Sequence, residues 1–515
     1  MFLVGRQMTL ITLGISLLFP ILWSIIGSQA YPVTTARKSD LFYIYDTGQW
    51  QTIANTSRTV RDPREIMDHY MNGGAGSLVN STSGMYHTDQ YQLFLLIFSR
   101  ALKDPRRTLD PSKATTFIVP YDIASDAAFY KNCAKSEGVC YDFRRCPLAP
   151  TVNELLKASP WHLRNNGKDH LLIIGMNYAM NHHIGKPKCK QLLLDACFNC
   201  TKIAIDDYSY LQATNAGILE KGDNWHATPF PSDFHWSRDV KKPFPWENRN
   251  RRYLSSYVGS TQSYYGPARR LRQSIAYYCN MHNEICVHQS YGVNGTRHSY
   301  KVDGHNPLEI SASSVFCFQP IGDLMTRKGL FDSILQGCIP VTFDALTASS
   351  MYTWHWEEEF WSDVSIQYPF DPTAKRYFDV VLALQDLMIN NASLILRKQE
   401  LIRSRVFELQ YSREGKYEYA RNTPDVYESN ILHYDNTSFN EVTNKIHPNW
   451  PLYKDGTPMR DAYEIMMDHI LGWHSGVEPD VRNGTVPECW NGYLDVLENK
   501  CKPHPEVKKE IKSSL

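Results

Sequence analysis

This chain has no surplus of either charge: 54 Lys and Arg residues stand against 54 Asp and Glu. A general nucleic-acid binder carries a basic excess, so that class is excluded; a local basic cleft is not. Neither Gly-x-Ser-x-Gly nor His-Glu-x-x-His occurs, which removes the serine nucleophile elbow and the zinc-protease helix. A hydrolytic carboxylate pair has no fixed spacing and stays open. Asp-x-Asp is missing too, as is any internal repeat or low-complexity tract.

One long apolar run is present. Residues 9–26 are almost wholly uncharged, with Arg6 before them and Arg37 and Lys38 after. Their length approaches the roughly 20 residues that cross a bilayer. We read residues 1–8 as a cytosolic tail, 9–26 as a transmembrane signal-anchor and 27–39 as a stem; the competing reading is a signal peptide cut after Ser28-Gln29-Ala30. Both put the following chain in the secretory lumen or outside. Seven Asn-x-Ser/Thr triplets agree, headed by Asn55, Asn80, Asn199, Asn294, Asn391, Asn436 and Asn483. So do 12 cysteines. Local clusters invite pairing: Cys133, Cys140 and Cys146; Cys189, Cys197 and Cys200; Cys279 with Cys286; Cys489 with Cys501. Zinc at Cys189, Cys197, Cys200 and His182-His183 is the lesser reading in an oxidising compartment. Cys317 and Cys338 fall in apolar strands and read as buried thiols.

At 515 residues the chain exceeds one compact core, and two domains are the default. Tyr91 to Leu102 has helical periodicity. Thr116 to Pro120 and His170 to Gly175 are apolar strands ending in turn residues, a pattern of parallel sheets between helices. Residues 221–251, rich in proline, tryptophan and charge, read as a linker or long loop. Leu394 to Phe407 reads as a charged surface helix.

Residues 313–344 carry the densest signal. Val315-Phe316-Cys317-Phe318 is an apolar run of strand length, broken by Pro320 and Gly322. Thr326 to Gln336 then sets Leu330, Phe331, Ile334 and Leu335 on one helical face. Gly337 is a natural stop, since glycine accepts the left-handed conformation of a helix C-terminus. Cys338 to Phe343 is extended again. A helix opening after such a loop presents unpaired N–H groups and a partial positive charge, a seat for a diphosphate. Thr326, Arg327 and Lys328 stand there with a hydroxyl and two cations.

This segment resembles the nucleotide-sugar signature of the exostosin family of glycosyltransferases: a Phe-Cys strand, a Gly-Asp loop, a Thr with basic residues, a Phe-Asp helix and a Gly-Cys-Ile-Pro-Val strand. Met351-Tyr352-Thr353-Trp354-His355 is similar to the branch with plant xyloglucan galactosyltransferases. Weaker likeness runs through Leu41 to Asp46, Thr116 to Tyr121, Gly167 to His170 and Pro229-Phe230-Pro231, so the resemblance covers about residues 40–390. Leu324-Met325 and Gly329 depart from the family pattern, and no particular sugar is carried over.

The resemblance implies two Rossmann-like α/β domains facing a cleft, the GT-B type, after an N-terminal transmembrane helix. On that frame residues 40–250 form an acceptor-side α/β domain, 251–410 a nucleotide-sugar-binding α/β domain, and 411–515 a C-terminal extension. The donor site is expected from Gly322, Asp323, Thr326, Arg327, Lys328, Asp332 and Arg269. Asp323 also suits a helix cap, and Asp332, four residues after Lys328, contacts either the donor or Lys328. Of Arg269, Arg270 and Arg272, one is expected at the diphosphate and two in solvent. Inversion at the anomeric carbon, also implied by the family, needs a base near the acceptor hydroxyl; His170 and Asp122 lead, with strand-end capping the alternative for each. Trp354 is the candidate acceptor platform.

The expected activity is thus an inverting transfer from a nucleotide-sugar, a UDP-sugar foremost, to a polysaccharide or glycoprotein glycan at the Golgi membrane, in a single-pass type II protein with its catalytic part luminal. Without Asp-x-Asp no metal or other cofactor is expected, and charge falls to the helix terminus and cations. Expected partners are the donor, a glycan acceptor and the membrane; homo- and hetero-oligomers both stay open. The alternative is a catalytically silent glycan-binding or partner subunit on the same scaffold.

Overall fold

The computed structural model describes residues 40–45, 48, 50, 71–90, 92–128, 146, 148–175, 187–206, 224–263, 266–290, 307–321, 326–344, 347–419 and 442–475. The apolar run 9–26, Gly322, Asp323 and the cysteines 133, 140, 489 and 501 lie outside them. Among the described residues no single helix is long and apolar enough to cross a membrane.

Two five-stranded parallel sheets carry the fold. The first joins β1 (Phe42–Ile44), β4 (Thr116–Ile118), β5 (His170–Ile174), β6 (Thr201–Ala204) and β7 (Trp225–Ala227) in that order. A hairpin of β2 (Ser77–Asn80) and β3 (Met85–His87) stands beside it. The second sheet uses β8 (Tyr253–Val258), β9 (Cys286–Gln289), β10 (Ser314–Gln319), β11 (Ile339–Thr342) and β12 (Ile366–Gln367), in the order β12-β11-β10-β8-β9. All its pairings are parallel. Its order reverses between β8 and β10, so this sheet is doubly wound. The first is sequential and has no such switch point among the described strands. Only the second therefore matches the Rossmann-like expectation in strand order.

Strand composition explains the layering. In a parallel sheet covered on both faces, strands are apolar without interruption, and β5 and β10 are buried along their whole length. Along the first sheet alternate residues serve two cores. Ile44, Ile118, Leu171, Ile173 and Ile203 face one cluster, while Tyr43, Phe117, Leu172, Ile174 and Ala204 face the other. The first cluster continues into the second sheet through Phe316, Phe318, Ile339 and Val341. The two lobes share one hydrophobic core.

The connector between them is part of that core. Phe230, Phe234, Trp236, Phe244 and Trp246 are buried, and the Phe244 and Trp246 rings stack at 4.8 Å. Residues 228–244 form the long loop that their prolines predict, and the loop is mostly buried. Proline breaks regular structure without requiring exposure, and the aromatics supply the burial.

Helices used below are α1 (Leu93–Ala101), α2 (Ile123–Ala128), α3 (Ala149–Ala158), α4 (Pro160–Asn165), α5 (Pro187–Leu194), α6 (Gly266–Met281), α7 (Pro307–Ala312), α8 (Lys328–Leu335), α9 (Glu358–Val364), α10 (Val380–Asn390), α11 (Ala392–Arg405) and α12 (Ala462–His474). Leu330, Phe331, Ile334 and Leu335 are the buried face of α8, as the periodicity predicts. Gly337 ends it at φ 73°, and a β-carbon there would come within 2.6 Å of the Arg251 guanidinium. The helix α11 is the surface helix that its charge predicts, but Lys398 is buried, and its ammonium donates to the carbonyls of Ser362, Asp363 and Ser365 at 3.2, 2.9 and 3.0 Å. Those carbonyls end α9, so Lys398 supplies the cation that a helix C-terminus favours.

Among the described residues two disulfides have both ends placed, Cys279 to Cys286 and Cys317 to Cys338, and Cys146 is disulfide-bonded as well. The second corrects the expectation of buried thiols: β10 and β11 are neighbours, with Cys317 paired opposite Pro340, which brings Cys338 within bonding reach. Cys197 and Cys200 remain free and buried, against the expectation of pairing there. The extension after residue 410 crosses back to the first sheet. His474, at the end of α12, contacts the hydroxyls of Thr116 and Thr201 at 2.9 and 2.7 Å.

Candidate active site

In doubly wound sheets a ligand crevice opens beyond the C-terminal ends of the strands where their order reverses. Here that place lies beyond β8 and β10, and α8 opens beside it. Arg327 precedes the helix in extended conformation. Its Nη2 donates to Val258 O at the end of β8 (3.1 Å) and its guanidinium lies 5.8 Å from the Tyr257 ring. Gly259 makes this possible, since a β-carbon there would sit 2.6 Å from Arg327 Nη2. At Gly329 a β-carbon would crowd Arg327 Nε and Gln319 Oε1, at 3.2 and 3.3 Å. The departure from the family pattern at 329 thus leaves room at the helix start.

Three buried polar atoms around this helix opening have no protein hydrogen-bond partner: Arg327 Nη1, Gln319 Oε1 and Thr326 Oγ1. Gln319 is 4% exposed and holds Ser333 through its amide nitrogen. Unpaired buried polar groups are costly unless a ligand or water meets them. Thr326, also 4% exposed, faces the Tyr352 phenol, which donates to Ile205 O beyond β6 at 3.0 Å. The mouth of the α8 loop therefore meets the C-terminal edge of the first sheet.

Lys328 opens α8. Its Nζ lies 2.7 Å from Asp233 Oδ1 and 2.8 Å from each oxygen of Asp332. Burial, with the charge of Asp233, pushes the Asp332 carboxyl up to about 6 against the pull of Lys328. Of the two roles open to Asp332, the geometry supplies the contact with Lys328. Asp233 and His235, both in the connector, are not among the residues that the motifs mark. The run of aromatics around them was the signal that this segment is buried.

The three arginines of α6 behave differently from expectation. Arg269 is exposed and donates to Ser263 O at 3.1 Å. Arg270 is held by Pro372 O and Ala374 O at 2.7 and 3.1 Å. Arg272 is 7% exposed and joins the loops after β8 and β10, donating to Ile321 O at 2.9 Å and to Gln262 O. Only one of the three faces solvent.

His170 does not fit the role of base. It is fully buried at the N-terminal end of β5, the edge of a parallel strand away from the cleft. Its ring stacks on Phe117 at 5.0 Å, its Nε2 meets Tyr45 Oη at 2.8 Å and its Nδ1 meets Asp169 Oδ1 at 2.8 Å. Burial lowers its pKa against the pull of Asp169. Although burial disfavours the Asp169 charge, His170, Arg164 and Asn165 hold that carboxyl at about 2. Asp122 is 2% exposed and follows β4 at the opposite, cleft-side edge.

Trp354 is half-buried and packs against two imidazoles. His226 stacks on it at 4.2 Å and His469 at 5.1 Å. It joins β7 to α12. Among the described residues no group of three or more His, Cys, Asp and Glu side chains is arranged to hold a metal.

The Exostosin GT47 domain profile matches residues 39–388. Similar proteins include xyloglucan-specific galacturonosyltransferase 1 of Arabidopsis thaliana, 29% identical over 304 residues, covering 57% of this chain and 42% of that one. Xyloglucan galactosyltransferase MUR3 of the same plant is 26% identical over 314 residues, covering 59% and 46%. The chain spans about half the length of the curated relatives it matches. Among solved structures, pneumococcal O-GlcNAc transferase GtfA in complex with UDP and GlcNAc overlaps 54% of this chain and 63% of that one, at 10% identity and a TM-score of 0.27, too slight a likeness to inform the fold. Matched through both sheets and the α8 opening, this chain belongs to the exostosin GT47 family of glycosyltransferases.

Proposed function

We propose that this protein is an inverting glycosyltransferase of GT-B type that moves a sugar from a nucleotide-sugar, of the UDP class, to a polysaccharide or glycoprotein glycan in the Golgi lumen. The observation that carries the donor site is the crevice at the β8/β10 reversal, where the α8 N-terminus, Arg327 Nη1 and Gln319 Oε1 converge. The diphosphate lies against the α8 amides and Arg327, with Thr326 at its rim. In the reaction Asp122 takes the proton of the acceptor hydroxyl. That oxygen bonds to the anomeric carbon as the bond to the diphosphate breaks. The departing electron pair settles on phosphate, where the helix terminus and Arg327 stabilise it. The likeness to xyloglucan transferases supports a polysaccharide as acceptor. The disulfides support an oxidising compartment, and the apolar run at 9–26 supports a type II membrane anchor.

The purified protein, incubated with a panel of nucleotide sugars and xyloglucan fragments, is scored for turnover and for binding. Turnover with one donor is expected. Donor binding without turnover on any acceptor would replace this reading with a silent subunit.

A further inference from the structure

We propose that Asp233 is a positioning residue of the donor site: from the connector it grips Lys328 together with Asp332, and so fixes the opening turn of α8. Lys328 then serves in this clamp and does not bind the diphosphate. This inference rests on the reading of the α8 opening as the donor site.

An ammonium group has three N–H donors. Lys328 Nζ lies within hydrogen-bond distance of Asp233 Oδ1 and of both oxygens of Asp332. The three side chains are 15%, 5% and 20% exposed for Lys328, Asp233 and Asp332, so water competes little for them. One cation between two carboxylates leaves the cluster with no positive charge to offer an anion. The cationic contact at the loop therefore falls to Arg327, whose guanidinium points to the other side, over Tyr257 and the end of β8.

Asp233 is itself held in place. Its Oδ1 accepts from Thr88 N at 3.2 Å and its carbonyl accepts from Tyr86 N at 2.9 Å. The Thr88 hydroxyl meets His235 Nε2 at 2.9 Å, and His235 Nδ1 meets Tyr411 O at 2.6 Å. Asp233 N also donates to Asp332 Oδ1 at 3.3 Å. A continuous network thus runs from β3 through the connector into the first turn of α8. It fixes the amides of that turn against the first lobe, where the acceptor is expected.

The test is calorimetric titration of UDP, with GDP and ADP in parallel, into the wild type and the Asp233→Asn, Lys328→Met, Lys328→Arg and Asp233→Asn/Lys328→Met variants, well below their melting temperatures. A misplaced opening turn weakens UDP about tenfold in Asp233→Asn and in Lys328→Met. The double variant is no weaker than either single one, because both break the same unit. Lys328→Arg, which keeps the charge, regains part of the loss. A direct Lys328–phosphate contact gives the opposite sign: Asp233→Asn frees the cation and tightens UDP, which overturns the proposal. Unchanged affinity in Asp233→Asn overturns it too. If the wild type binds none of the three nucleotides, the donor-site reading itself fails.

Discussion

Replacing His474 by Ala tests whether α12 is an integral part of the first lobe. His474 is 4% exposed, and its two ring nitrogens meet the hydroxyls of Thr116 (0% exposed) and Thr201 (3%). Each such bond contributes about 1 kcal/mol net, but a buried hydroxyl left alone costs about 1–3 kcal/mol. With the cavity included, His474→Ala is expected to cost about 3–5 kcal/mol at pH 7 in urea unfolding. His474→Leu with Thr116→Val and Thr201→Val removes both partners and recovers most of that loss. The same residue sets an acid limit. Burial lowers its pKa from 6.5 to about 4, so the unfolded chain takes up the proton more readily than the folded one. Its contribution is full above pH 6.5 and is lost as pH falls through 4, amounting to about 3 kcal/mol. His235 and His355, each lowered by burial to about 3, add to the same trend. Unfolding free energy measured from pH 7 to pH 4 falls more steeply in the wild type than in the triple variant. A loss below about 1 kcal/mol in His474→Ala, or equal pH slopes, would refute the reasoning.

Arg327→Ala is expected to weaken UDP at least about tenfold, while Arg269→Ala stays within about twofold; equal effects in titration would remove the distinction between the two arginines. Lys398→Met leaves three carbonyls at the end of α9, that of Ser365 buried, without their cation and costs about 1–3 kcal/mol in urea unfolding. Cys317→Ser with Cys338→Ser opens a loop of sequence separation 21 and costs about 3 kcal/mol in the chain-entropy treatment; an unchanged melting temperature would contradict a stabilising bond. Asn80 is exposed, with its side-chain oxygen accepting from Thr82 N, whereas the Thr201 of the Asn199 triplet is buried on His474. Glycopeptide mass spectrometry of protein from a plant secretory host is expected to find a glycan at Asn80 and none at Asn199.

Local sequence pattern carries some of these features and not others. The α8 face and its Gly337 stop are legible because both rest on near-neighbour periodicity and on one backbone conformation. Lys328 is visible as a cation beside a phosphate-sized loop, but its two carboxylates are not. Asp332 lies one helical turn away, and Asp233 lies 95 residues earlier, beyond any pattern rule. His170 reads as a base from sequence because a polar residue beside an apolar strand looks the same at either strand end; direction in the sheet decides, and only the fold supplies it. Lys398 shows the same limit for helices: a charge on a helix reads as solvated until another helix ends against it. Trp354 reads as a free aromatic because its two stacking imidazoles come from positions 226 and 469.

A hinge between two lobes normally works because the joining strand has little to lose when it bends. Here the joining segment contributes Phe230, Phe234, Trp236, Phe244 and Trp246 to the interior. Opening the cleft by swinging the halves apart would wet those rings, at about 1.5–3 kcal/mol for each large side chain. Lobe opening would carry that cost on top of any other, and cutting the chain near residue 250 should yield fragments that clump.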